Sequence, residues 1–278
     1  MISLKRNSKG VLTKANGLRT RSSSIYMPLQ PQPFKISRSK FVDFLACRRC
    51  FYLDRVGGLV SPSVPGWTLN ETVDRLLKRE FDLCRENQAP HRVFAKFGFT
   101  NIVPFKHPDI DLWRDSLHHG LQYQAEGSHI ILHGGIDDVW FDQITQELIV
   151  VDYKSQATRR PVTTEDYLAG VYHQGYKIQL EFYSYLLVKM GFRVSDVGYF
   201  YVCNADVNTL VFGGQLEFEE TLVPYKLNTD WIASAIDEMT HILNSSSLPA
   251  KNSSCENCAY GNARAVLEKP DPANQRVS

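Results

Sequence analysis

LIVVDYKSQ, residues 148–156, runs through four apolar side chains and then turns to an acid, an aromatic, a lysine, a serine and a glutamine. A short run rich in Val and Ile predicts a buried strand. Residues i and i+2 of a strand share a face, so Asp152 and Lys154 project together from its end. Upstream, HIILHGGIDDVWFD (129–142) is rich in Ile, Val and Trp, and the polar link QITQ (143–146) predicts a hairpin between the two runs. Pairing around that link sets Asp137 beside Asp152, while Gly134 and Gly135 permit a bend or a close backbone approach.

Two carboxylates brought together repel unless a cation joins them. Oxygen ligands of this kind suit Mg²⁺ or Mn²⁺, which keep several waters and bind phosphate oxygens. A lysine two residues beyond can orient or deprotonate a metal-bound water, or steady the charge developing on phosphate, as phosphodiester cleavage requires. An acid-x-Lys triplet arises by chance roughly once or twice in a chain of this length, so the weight lies in its position. It ends an apolar strand and follows a Gly-x-x-Asp stretch by the length of a hairpin.

The 278 residues, 43% of them hydrophobic, suffice for a sizeable core. No apolar stretch approaches the roughly 18 residues of a membrane span, and the first 33 residues hold no signal-peptide block. A soluble, cytoplasmic protein without a membrane partner is expected. Formal net charge is +1, from 31 basic and 30 acidic residues. Residues 1–33 carry Lys5, Arg6, Lys9, Lys14, Arg19 and Arg21 with no acid, which leaves 25 basic against 30 acidic residues in the body. That basic segment lacks hydrophobic periodicity and is expected to be a disordered tail, with Met27 a plausible alternative start. Residues 266–278 are expected to be a flexible tail.

Helical spacing is predicted around Phe41, Phe44, Leu45, Phe51 and Tyr52, with Ser37 or Ser39 as N-cap. A second amphipathic helix is predicted over TLNETVDRLLKREFDLCRE (68–86), with Leu69, Val73, Leu76, Leu77 and Phe81 on one side and Thr68 and Glu71 as a capping box. GYKIQLEFYSYLLVKMGF (175–192) reads as a long helix closed near Gly191. VGYFYVCNA (197–205) and LVFGGQLEFEE (210–220) read as strands, and DWIASAIDEMTHILNS (230–245) as a last amphipathic helix.

Taken together, GGIDDVWF, LIVVDYK and QLEFY resemble the PD-(D/E)XK nuclease superfamily, and specifically its RecB-like branch, which includes the CRISPR-associated RecB-like exonucleases. The resemblance spans about 34–265. It implies an α/β fold with a restriction-endonuclease-like central mixed β-sheet flanked by helices, and an N-terminal helical segment at about 40–125. It implies a metal-dependent DNA nuclease with Asp137, Asp152 and Lys154 as catalytic residues, joined by Gln179 and Tyr183 of the Gln-x-x-x-Tyr motif. Asp137, Asp152 and the Tyr153 carbonyl are the implied Mg²⁺ or Mn²⁺ ligands. Relatives commonly carry a metal-binding His on the first long helix, where TVDRLL offers Asp74 instead. Glu80 is a further candidate acid near the site. Exonuclease action in a repair or CRISPR-type pathway is the expectation, and a non-catalytic DNA-binding or assembly subunit with a degenerate core is the alternative.

Cys47 and Cys50 form one Cys-x-x-Cys pair, and Cys255 and Cys258 another. Two such pairs can build a four-thiolate site joining the two ends of the domain, and this spacing suits either structural Zn²⁺ or an iron–sulfur cluster. Resemblance to the RecB-like branch implies a 4Fe–4S cluster, though that branch usually places three cysteines after the core and this chain has two. Cys84 and Cys203 are isolated and read as packing residues. DNA contact must come from local charge. Arg48 and Arg49, between the first thiols, and Arg159 and Arg160, just after the acid-bearing strand, are the candidates.

Overall fold

The apolar run that ends in Asp152 and Lys154 is a strand, and its register places the site. In this computed structural model, which describes residues 4–63 and 66–269, the elements in chain order are β1 (Phe34–Ser37), α1 (Arg38–Ala46), α2 (Arg48–Arg55), α3 (Thr68–Asn87), α4 (Arg92–Lys96), β2 (Ile102–Pro104), α5 (Ile110–Arg114), β3 (Leu121–Gln124) and β4 (Ile130–Gly134). They continue with β5 (Asp138–Asp142), β6 (Glu147–Gln156), α6 (Thr164–Ala169), α7 (Gln174–Lys189), β7 (Val197–Ala205), β8 (Phe218–Lys226), α8 (Asp230–Leu243) and α9 (Glu256–Leu267). The chain divides into two compact units, one of residues 35–38 and 65–232, the other of residues 1–34, 39–64 and 233–278.

The larger unit is built on a five-stranded sheet of order β2-β5-β6-β7-β8. β5 and β6 form the expected antiparallel hairpin, with Asp138 opposite Val151 and Asp142 opposite Glu147. β6 and β7 are parallel, which requires a long crossover, and α6 and α7 supply it. Alternation then sorts β6 by face. Ile149, Val151 and Tyr153 join a core cluster with Leu77 and Phe81 of α3, Trp140 and Tyr201. On the other face Asp152 meets Gln179 of α7. The result is the expected central mixed sheet flanked by helices.

Several expectations are corrected. The run 129–142 is not one strand: β4 belongs to a separate three-stranded sheet, β1-β4-β3, and the chain leaves it at Gly134 and Gly135. A Cβ on Gly134 would lie 2.8 Å from the Tyr183 ring and one on Gly135 2.6 Å from Ser116 Cβ, so both positions require glycine. α3 has no capping box, since Trp67 is its N-cap and makes no side-chain cap bond. Leu69 and Leu76, expected on its apolar side, are exposed, and Leu77 and Phe81 carry the contact. The strand expected over 210–220 begins only at Phe218, because Gly213 and Gly214 turn the chain in the left-handed region. The N-terminal helical segment at about 40–125 holds α1 to α5 together with the short strands β2 and β3, and it is divided between the two units.

In the smaller unit the helix expected around 41–52 is broken at Cys47, whose extended backbone separates α1 from α2. Phe41, Phe44 and Phe51 are fully buried, with the Phe44 and Phe51 rings 5.5 Å apart edge to face. The basic segment expected to be disordered through residue 33 is instead anchored from Leu18 onward. Leu18 bridges to Leu59, Arg19 pairs with Asp54, and the buried Tyr26 hydroxyl donates to Asn244 Oδ1 at 2.7 Å. The flexible tail expected over 266–278 lies, for residues 270–278, outside the described residues. Among the described residues no helix is long and apolar enough to cross a membrane.

Candidate active site and thiol cluster

Asp152 stands at full burial on β6, and Asp137 immediately precedes β5, one step past the Asp138–Val151 pair. The backbone N–H of Tyr153 donates to Asp137 Oδ2 at 2.9 Å, which ties the two strands at this point. Lys154 Nζ is ion-paired with Asp152 Oδ2, and Gln179 Nε2 donates to Asp152 Oδ1 at 2.6 Å. Lys154 also lies 4.5 Å from the Tyr176 ring centroid and 3.5 Å from its neighbour's carbonyl, that of Tyr153. Gln179 and Tyr183 lie one helical turn apart on α7, and the Tyr183 ring abuts Gly134.

The α3 helix adds two side chains. Lys78 Nζ sits 2.9 Å from Asp74 Oδ2 and 3.8 Å from Asp137 Oδ1. Lys78 was not singled out from the sequence, although its place four residues after Asp74 is the signal that could have found it. Glu80 does not join this group; it pairs with Arg92 at 2.6 Å and His91 at 3.1 Å.

The electrostatics follow from this placement. Burial pushes the Asp152 carboxyl up to about 7; Lys154 opposes that shift and the Asp137 charge adds to it. Burial also opposes ionisation of Asp137, but Lys154, Lys78 and the Tyr153 amide outweigh it and hold that group below the usual carboxylate range. Burial and then the Asp137 charge raise Asp74, with Lys78 opposing. One carboxyl ready to share a proton beside one held ionised is the division of labour that acid–base chemistry uses.

A second buried acid, Asp138, adjoins the first in sequence and turns the other way. Its Oδ1 pairs with Arg85 and, at 2.8 Å, with Arg114, while Oδ2 accepts the Tyr153 hydroxyl at 2.7 Å. Asp82 pairs with the same two arginines. Every charge in this group is matched, so it fixes the Tyr153 ring rather than offering a free ligand.

The donors Asp137, Asp152 and the Tyr153 carbonyl are hard oxygens and fit Mg²⁺ or Mn²⁺. Arg159 and Arg160 are exposed and line a cavity of about 490 Å³ together with Gln156, Thr163, Tyr167 and His173. Arg48 and Arg49 are engaged within their own unit, Arg48 with Glu238 at 2.9 Å and Arg49 with the Pro249 carbonyl at 3.1 Å.

The thiols assemble in the smaller unit. Cys47 and Cys255 are the N-caps of α2 and α9, so each Cys-x-x-Cys spans a first helical turn, where the helix dipole favours thiolate. All four Sγ atoms lie within 4.8 Å of one another, the only grouping of three or more Cys, His, Asp or Glu ligands at that spacing among the described residues. Three pairs, Cys47–Cys258, Cys50–Cys255 and Cys50–Cys258, are 3.7, 3.6 and 3.5 Å apart. Burial opposes ionisation of Cys47, yet the Cys50 amide and the neighbouring thiols bring it down to about 7. Cys84 and Cys203 stand outside the cluster, Cys203 buried in the core.

A family model described as the PD-(D/E)XK nuclease superfamily matches residues 64–263. No curated protein matches the sequence. A solved structure of an inferred exonuclease from Eubacterium rectale is 12% identical, with a TM-score of 0.39 over 88% of this chain and 93% of that one. At that score the two backbones agree too loosely for the likeness to bear on the site.

Proposed function

The chain belongs to the PD-(D/E)XK nuclease superfamily, and from that premise we propose that it is a Mg²⁺- or Mn²⁺-dependent DNA nuclease of the RecB-like branch, acting as an exonuclease. The observation that supports this most is the group of buried Asp152 with half-buried Asp137 and Lys154, two acids of unlike proton affinity with an ammonium at the end of an apolar strand. Asp137, Asp152 and the Tyr153 carbonyl would hold the ion. When bound, that ion polarises a phosphate oxygen and makes its water a stronger nucleophile.

The remaining roles belong to the protein. Gln179 fixes Asp152 through its amide, so the carboxylate keeps one orientation while its charge changes. Lys154, held by Asp152 and by the face of Tyr176, is placed to orient the attacking water and to steady negative charge on the phosphate. Tyr183 packs against Gly134 and so fixes the backbone that leads to Asp137. Arg159 and Arg160, free of carboxylate partners among the described residues, would meet the DNA backbone.

End-labelled single- and double-stranded DNA incubated with anaerobically purified protein and Mn²⁺ or Mg²⁺ tests this reading. A metal-dependent ladder growing from one end is expected. Intact DNA that is nevertheless bound would favour a non-catalytic binding subunit.

For the thiol cluster the sulfur spacing favours a single tetrahedral ion. Arms of about 2.3 Å give sulfur pairs about 3.8 Å apart. A 4Fe–4S cluster interposes iron and sulfide and holds its thiolates further apart. Zinc near one equivalent per chain, without visible absorption, is expected; broad visible absorption with matching iron and sulfide would assign the cluster instead.

A further inference from the structure

The position where the resemblance leads one to expect a metal-binding histidine holds Asp74, and Asp74 is already occupied by Lys78 at 2.9 Å. The same ammonium stands 3.8 Å from Asp137 Oδ1, while Lys154 pairs with Asp152. Asp74, Asp137 and Asp152 do not close to the mutual spacing of metal ligands, and the ammonium of Lys78 lies in the gap between the first two. Asp74 and Lys78 stand one turn apart on the twenty-residue α3, and Asp137 immediately precedes β5 and is tied to β6 by the Tyr153 amide. Lys78 is three-quarters covered, so the contact is partly sheltered from solvent.

Charge then limits what the centre can hold. With all three carboxylates ionised, as metal ligation requires, they face two ammoniums, leaving one negative charge. One divalent ion reverses that to one positive charge. A second would leave three positive charges in a site whose central acid is fully buried, which the low local dielectric strongly opposes.

We infer that Lys78 stands in place of a second metal ion: it holds Asp74 away from the metal and restricts the acid centre to one divalent ion. Lys78 is thus a positioning residue that sets metal stoichiometry. The inference rests on the nuclease reading of this centre.

The test is titration of the full-length protein with Mn²⁺, without nucleic acid, following free Mn²⁺ by electron paramagnetic resonance. Wild type is expected to bind one Mn²⁺ at the acid centre. Lys78→Met, which keeps the length of the side chain and removes its charge, should bind the first ion about tenfold more tightly and admit a second. Lys78→Arg should restore single occupancy, and adding Asp74→Asn to Lys78→Met should remove the second ion. Two ions in the wild type, or a folded Lys78→Met protein with wild-type stoichiometry and affinity, would overturn the inference while leaving the nuclease reading intact. A wild type that binds no Mn²⁺ would bring down the reading of the centre itself, and the inference with it.

Discussion

Asp137 and Asp138 are consecutive acids, and the structure gives them opposite environments. Asp138 faces the α3 side of the sheet, where two arginines, a tyrosine hydroxyl and its neighbour's amide satisfy it. Asp137 lies beside Asp152, with one backbone donor, and a lysine 3.8 Å away. Both sites bury charge, but only one is saturated. A saturated network is rigid and has no capacity left for a ligand, whereas the Asp137–Asp152 pair sets two acids of unlike proton affinity side by side, which is the arrangement the proposed metal centre rests on. Tyr153 joins the two, giving its hydroxyl to Asp138 and its amide to Asp137. The saturated face of β6 thereby fixes the position of the acid on the other.

The contrast can be broken most forcefully at Lys154. Lys154→Ala is expected to lower metal-dependent cleavage about 10²–10⁴-fold with no loss of fold, read from single-turnover rates and circular dichroism together. An active Lys154→Ala protein would separate this lysine from the chemistry.

Next in size is stability. Asp138→Ala leaves Arg85 and Arg114 with the half-exposed Asp82 as their one carboxylate partner and should cost about 3–5 kcal/mol in urea denaturation. Asp152→Asn should cost less, because Asp137 still faces Lys154, and its effect should become more favourable as pH rises through about 7. The direction follows from linkage: the folded-state value of Asp152 is raised, so its contribution to stability is present at low pH and is lost as pH climbs from the ordinary carboxylate range to about 7. Equal losses in the two variants would erase the distinction between the faces.

A smaller effect is the pH dependence of metal binding. Asp152 must lose its proton to act as a ligand, so Mn²⁺ affinity should rise about tenfold per pH unit on approach to about 7 and then level off. A flat profile from pH 5 to 8 would remove Asp152 from the ligand set. Smallest of all, Arg159→Ala should weaken DNA binding evenly across sequences and reduce the salt slope by about one. The same substitution at Arg48, which is bonded to Glu238, should leave the slope unchanged.

Much of this arrangement is legible in the sequence because it depends on local periods. The two-residue period of β6 and the length of the 143–146 link are enough to set Asp152 and Lys154 together with Asp137 nearby, and the helical period brings Gln179 and Tyr183 to one face. What escapes is set at long range. The arginines that claim Asp138 lie 53 and 24 residues away, and nothing near Asp138 marks it as the saturated acid. Arg48 meets Glu238 across 190 residues. The split of 129–142 into two sheets depends on Tyr183 and Ser116 filling the space beside Gly134 and Gly135. The apolar side of α3 is partly misread for a related reason: helical spacing marks Leu69 and Leu76 as candidates, but the core takes up Leu77 and Phe81, with Val73 packed at its margin.

Under the metal-centre proposal, the acids on one face of β6 bind the ion and the acid on the other does not. Calorimetric titration of Mn²⁺ into wild type, Asp152→Asn and Asp138→Asn at pH 8 tests it most directly. Binding by wild type, lost in Asp152→Asn and retained in folded Asp138→Asn, is the predicted result. Unchanged binding by Asp152→Asn would contradict it.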